Sequence, residues 1–315
     1  MKSTILLIFC LITSSPAYSQ NSIEHPERDR IPYVDQTDLS ETGELTSEII
    51  SKINDQFSNT SLKSEIGQSN DVIIGSMREV EVYNSSEFII LDERGNRVIM
   101  FNELGAVIDT IGRVGQGPGE YKSPYSIELD GNDLYLADRS FSVNKYVRTG
   151  GKFEESEDFK INVVPDQLCI LKNEVFFRGS ANNNDFAGDE HVIHVYDKET
   201  LSHTRSFINP YKAEGYIAQN ELNEGKIFCD RSTNSIFVSF NILPYIYSFS
   251  TDGTLNWVTG INNFQPRRVV EKTGPPNTPQ SVTFRGDMMY DSITGFTDLD
   301  DDFALVQIVR NYSRS

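Results

Sequence analysis

The chain has 315 residues, 38% hydrophobic and 11% aromatic, which is enough apolar material for a sizeable core and excludes a wholly disordered chain. The 21 Gly and 12 Pro are near average and exclude a collagen-like or low-complexity protein. The formal net charge is −18, from 28 Lys and Arg against 46 Asp and Glu. So acidic a chain repels phosphate backbones and anionic membrane surfaces, and its one adjacent basic pair is Arg267-Arg268, so no nucleic-acid partner is expected.

Residues 1–19 read as a signal peptide. Lys2 supplies the positive start, Ile5 to Ile12 a short apolar run, and Ala17-Tyr18-Ser19 the small residues before a cleavage ahead of Gln20. The run is too short to span a bilayer, and no membrane insertion is expected. Cys10 lies within it, but Phe9 stands where lipid attachment wants a small residue. The expectation is an exported protein, periplasmic or secreted. Cys169 and Cys229 then remain, each in an apolar strand-like run, and the favoured reading is two buried free thiols.

Residues 20–71 read as a polar lead-in that holds an edge strand and a short helix over Leu45 to Phe57, where apolar residues recur at helical spacing. From residue 72 the texture changes to short apolar or alternating runs between turn residues, such as Arg78 to Tyr83, Glu87 to Leu91 and Arg97 to Phe101. These are strand and hairpin signals, and no convincing helix follows them. The run Phe88-Ile89-Ile90-Leu91-Asp92 returns as Leu134-Tyr135-Leu136-Ala137-Asp138, and Gly105 returns as Gly151, both at a spacing of 46. Two further copies centre on Glu174 to Asp197 and Ser235 to Gly253. A period of this length with about four strands per unit is blade spacing in a β-propeller, where stacking buries faces that one small sheet cannot bury alone. Asp92 and Asp138 are expected at equivalent strand ends, accepting bonds from turn amides.

Between the first two units runs Ile111-Gly112-Arg113-Val114-Gly115-Gln116-Gly117-Pro118-Gly119-Glu120-Tyr121, followed by Asp130-Gly131-Asn132 and the strand end at Asp138. This stretch is similar to NHL-type repeats and resembles, more closely, the exported six-bladed β-propeller family of Gram-negative bacteria. The resemblance implies an all-β fold of four-stranded blades over 72–315; it implies no activity. Four full blades are expected to about residue 262, with a partial fifth from Asp291 to Ile308, so the ring is expected to be incomplete at the C-terminus.

The Gly-rich run lacks the Lys-Ser/Thr and helix of a phosphate loop and reads as a crossover between blades. His25, His191, His194 and His203 are few and badly spaced for a metal, and no nucleophile elbow exists. Asp298, Asp300 and Asp302 are weak metal candidates without the spacing of a calcium loop, and the Asn182 to Asp185 loop is read as an insertion. No cofactor is implied. Arg113, Gln116, Glu120, Tyr121 and Arg139 sit in or beside blade connections and are the candidate ligand-binding residues. The leading expectation is a non-catalytic binding protein for a peptide, glycan or protein. The alternatives are a metal-dependent, lactonase-like hydrolase or lyase, and a truncated, non-functional fragment.

Overall fold

The computed structural model describes residues 72–115, 117, 119–180, 191–211, 216–261, 264, 269–272, 281–284, 289–300 and 303–312. The expected helix over 45–57, Gln116, the 182–185 loop, His25 and Asp302 lie outside the described residues. The described residues divide into two compact units, one within 72–180 and 193–205, the other within 191–192 and 206–312.

The first unit starts with the four-stranded antiparallel sheet β1 (Met77–Asn84), β2 (Glu87–Asp92), β3 (Arg97–Asn102) and β4 (Val107–Ile111), paired in chain order. The Gly-rich segment follows, with β5 (Arg113–Val114) and β6 (Glu120–Tyr121) as a short parallel pair. The second sheet is β7 (Pro124–Asp130), β8 (Asp133–Asp138), β9 (Ser142–Thr149) and β10 (Lys152–Lys160). The third is β11 (Val164–Leu171), β12 (Glu174–Ser180), β13 (Ile193–Asp197) and β14 (His203–Phe207). In every case consecutive strands pair as a meander, which is the blade topology expected from the repeat.

The continuous apolar run in β8 shows how the blades stack. Leu134 and Leu136 join Ile89, Leu91, Val98 and Met100 of the first blade in one core cluster. Tyr135 and Ala137, pointing to the other face, join Leu168, Ile170, Val175 and Phe177 of the third. A strand alternates its side chains between two faces, and here both faces are covered, so both must be apolar. Each fully buried Leu, Ile, Val, Met or Phe among them contributes roughly 1.5–3 kcal/mol.

The second unit holds the helix α1 (Tyr216–Asn223) and a fourth meander: β15 (Gly225–Asp230), β16 (Ser235–Phe240), β17 (Tyr245–Ser250) and β18 (Leu255–Gly260). Two hairpins follow, β19 (Val269–Lys272) with β20 (Ser281–Phe284), and β21 (Met289–Asp300) with β22 (Phe303–Tyr312). Ile293 and Ile308 of the last hairpin pack with Ile246, Ile261 and Phe264. The expected fifth strand pair is present and longer than its sequence pattern indicated. The helix was not anticipated: eight residues carry too little periodicity to register. The cysteines are a correction. Cys169 and Cys229 are both disulfide-bonded, not free thiols. Apolar neighbours signal burial of a sulfur, not its oxidation state.

Candidate functional site

The frame of the site is set by two buried aspartates. Asp92, at the end of β2, accepts bonds from the backbone N–H groups of Gly75, Ser76 and Gly95 at 2.9, 3.0 and 3.1 Å, and from Arg97 Nε at 3.2 Å. Asp138, at the end of β8, accepts from Lys122 N, Ser123 N and Ser140 N at 3.0, 3.0 and 2.7 Å. The two are equivalent, as the 46-residue spacing predicts. Each ties the start of its blade's first strand to the end of the second. Burial alone would raise the Asp92 carboxyl, but the bonds from Ser76, Gly95, Arg97 and Gly75 together hold it below the ordinary aspartate value.

Near its start, the first strand of each blade in this unit bulges, and β1 bulges a second time between Val82 and Asn84. The register slips between Met77 and Glu79, between Pro124 and Ser126, and between Pro165 and Gln167. The extra residues are Arg78, Tyr125 and Asp166. A bulge leaves one residue out of the ladder and re-aims its side chain. The three re-aimed side chains form one network.

The Tyr125 ring lies against two guanidinium groups, Arg78 Cζ at 2.9 Å and Arg139 Cζ at 3.3 Å from its centroid. Two planar cations at that range must cover opposite faces of the ring. Arg78 Nε donates to the Tyr125 carbonyl at 2.7 Å, and its Nη1 lies 3.6 Å from Glu93. Arg139 Nη2 donates to Asp166 at 2.7 Å. On the other oxygen of Asp166, at 3.8 Å, stands Arg178 of β12, whose side chain is 1% exposed. Arg78 and Arg139 keep 23% and 35% of their side-chain surface. Three cations and two carboxylates therefore line the end of these blades where the crossovers enter, in a chain of net charge −18.

The blades are held in phase by side chains, because their first strands share no ladder. Glu79 accepts from Ile127 N of β7 at 2.8 Å, and Ser126 Oγ from Leu168 N of β11 at 3.2 Å. At the opposite strand ends Arg148 makes a two-pronged bond to Glu87 at 2.7 and 2.9 Å and lies 4.2 Å over the Tyr83 ring. The Arg148 bond holds the Glu87 carboxyl below the ordinary glutamate value.

The sequence-derived candidates divide accordingly. Arg139 is in the network. Arg113 is an exposed cation paired with Glu120 at 2.8 Å. The other Glu120 oxygen accepts from Gly117 N at 2.9 Å, which closes the Gly-rich segment on itself. Tyr121 is a correction: it is 2% exposed, its hydroxyl bonds Tyr146, and its ring joins the core between the first two blades. Gly112 makes room for it, with φ +84° and no space for a Cβ against the ring. Arg78, Tyr125, Asp166 and Arg178 were missed. Their shared signal was position: Arg78 and Tyr125 each stand two residues after the serine that bonds the strand-end Asp.

His194 and His203 are ring neighbours at 6.3 Å, and Tyr196 packs on His203 at 5.3 Å. Among the described residues no group of three His, Cys, Asp or Glu is arranged to hold a metal. Asp298 and Asp300 lie on β21. The second unit carries a separate cavity of about 230 Å³, lined by Glu221, Glu224, Lys226, Asn241, Ser292 and Thr294 among others. Asn241 Oδ1 is buried there without a hydrogen-bond partner among the described residues. Among the described residues no helix is long and apolar enough to cross a membrane.

Solved structures resemble the fold. A Bacteroides fragilis protein thought to be exported superposes with a TM-score of 0.50 at 19% identity, over 61% of this chain and 53% of that one. The chain thus spans about half the length of that relative. The β-propeller domain of Cps50 (Swd1) from Myceliophteria thermophila gives 0.44 at 10% identity, over 76% of this chain and 73% of the other. BamB from Moraxella catarrhalis gives 0.40 at 12% identity, over 78% and 61%. No curated protein matches the sequence. A family model described as a 6-bladed beta-propeller matches residues 50–265, more than half of the chain. The chain belongs to that 6-bladed β-propeller family.

Proposed function

We propose that the protein is exported and acts as a non-catalytic binding protein, holding a peptide, glycan or protein partner at the crossover end of its blades. One observation carries this reading: three successive blades bulge at the same place, and the released residues, Arg78, Tyr125 and Asp166, meet in one network. Bulges are over-represented beside functional sites, where they re-aim a side chain. Arginine and tyrosine are also the side chains most enriched at recognition hot spots. Export is supported by the leader-like N-terminus and by two disulfide-bonded cysteines, since disulfides persist in oxidising compartments.

Peptide and glycan arrays probed with the purified full chain and with an Arg139→Gln variant test the binding. Selective retention by the parent, lost in a variant with an unchanged melting temperature, is the expected result. Retention that the substitution leaves untouched would move the site elsewhere. Cell fractionation tests export, with the protein expected outside the cytoplasm.

A further inference from the structure

Resting on that binding reading, we infer that the bulge network takes a carboxylate of an acidic peptide segment, set at the rim of the Tyr125 ring between Arg78 and Arg139. The inference comes from counting donors. A guanidinium carries five N–H donors, so this pair brings ten. Arg78 spends one on the Tyr125 carbonyl and Arg139 spends one on Asp166. Glu93, at 3.6 Å from Arg78, is outside hydrogen-bond reach, and stacking on the ring uses no N–H at all. Arg139 Nε is buried and has no partner among the described residues. The network is short of acceptors, not of donors.

A structural staple between blades would need only the stacking and the two bonds already made. The unspent donors sit instead on partly exposed cations whose orientation is locked by the ring. Preorganised guanidinium edges suit a planar, two-oxygen acceptor, and charge-assisted bonds of this kind are about twice as strong as neutral ones. Polyanions fit poorly, because the chain is strongly acidic and Glu79, Glu93 and Asp166 stand close by. A sugar ring finds no bare aromatic face here, since both faces of Tyr125 are covered. A peptide carboxylate needs neither a high charge nor a free ring.

The side-chain Nη–H resonances of Arg78 and Arg139, followed by NMR in the full chain, read the contact directly, since Arg78 Nε is already bonded and Arg139 Nε is buried. The probes are the capped peptide acetyl-Gly-Glu-Gly-amide, its Gln counterpart, and galacturonate. A saturable shift of both resonances by the Glu peptide is expected, with affinity at least roughly tenfold weaker for the Gln peptide. Arg139→Gln should weaken the binding read from the remaining Arg78 response by roughly tenfold or more, and Arg139→Lys should weaken it less. Equal responses to the Glu and Gln peptides would overturn the carboxylate inference and leave the binding reading intact. Tighter binding of galacturonate would overturn the peptide assignment. Silence of both resonances toward all three probes, while array binding persists, would place the partner elsewhere. Failure of the arrays as well would sink the binding reading itself. The parent-protein titrations stand on their own if a variant fails to fold.

Discussion

The first and second blades are built on one frame and finished differently. Asp92 and Asp138 hold equivalent turns with equivalent backbone bonds, and Glu93 N and Arg139 N both return to the preceding crossover, on Ser76 O and Ser123 O. Yet the bulged residue is Arg78 in one blade and Tyr125 in the other, and the residue after the aspartate is Glu93 in one and Arg139 in the other. Stability is thus carried by the shared positions, while the chemistry of the crossover end is carried by the positions that differ. The two can be separated by mutation.

The largest expected effect falls on the shared frame. Asp92→Ala or Asp138→Ala takes the acceptor from three part-buried backbone N–H groups, each costing on the order of 1 kcal/mol or more. A loss of about 3–5 kcal/mol in either blade, read from urea denaturation, is expected, with Asn substitutions milder because the amide oxygen still accepts. A loss confined to one blade would break the equivalence. The Asp92 carboxyl is held below its ordinary value, so its contribution is complete above that value and is lost as the pH falls through the depressed one. Glu87, depressed by its Arg148 bond, acts with the same sign. The parent should lose stability steeply below about pH 4, and Asp92→Asn with Glu87→Gln should flatten that slope.

Next comes the link between the blades. Arg148→Met breaks the two-pronged bond to Glu87 and the stacking over Tyr83, leaving a half-buried carboxylate without its cation. A loss of about 2–3 kcal/mol is expected by the same denaturation measurement. Gly112→Ala is smaller, about 2 kcal/mol, because a Cβ is strained at that φ and overlaps the Tyr121 ring.

These differences also explain what could be read from the amino acids alone. The aspartate frame was legible because it repeats both in residue type and in spacing, 46 residues apart. The blade cores were legible because runs such as Leu134 to Ala137 are apolar on both faces. The bulges were not legible. A bulge adds one residue to one strand and leaves no compositional mark, and Arg78, Tyr125 and Asp166 share no chemistry by which an alignment of types could group them. Arg139 was within reach because it directly follows a recognisable strand end. Tyr121 was misplaced because Gly and Pro neighbours signal a surface segment, whereas Gly112 clears the space that draws the ring inward. The disulfide state of Cys169 and Cys229 was not legible, because the apolar neighbours of each signal burial and carry no mark of oxidation.

The smallest effect on stability is the sharpest test of the difference between the blades. Glu93 and Arg139 occupy the same place after their aspartates, both partly exposed, with side chains that reach opposite ends of the Arg78–Tyr125–Arg139 stack. Replacing either by Gln removes one partly solvated ion pair and should change stability by no more than about 1 kcal/mol. Their effects on a bound carboxylate have opposite signs. Arg139→Gln removes donors from the network and should weaken the Glu peptide by roughly tenfold or more. Glu93→Gln removes a carboxylate that competes for Arg78, and should tighten the peptide by a factor of about two to five, the range of one exposed ion pair. The pair of variants reads the asymmetry without disturbing the frame. If both weaken binding alike, the two positions serve the fold in the same way, and the division between shared frame and divergent chemistry does not hold at this end of the blades.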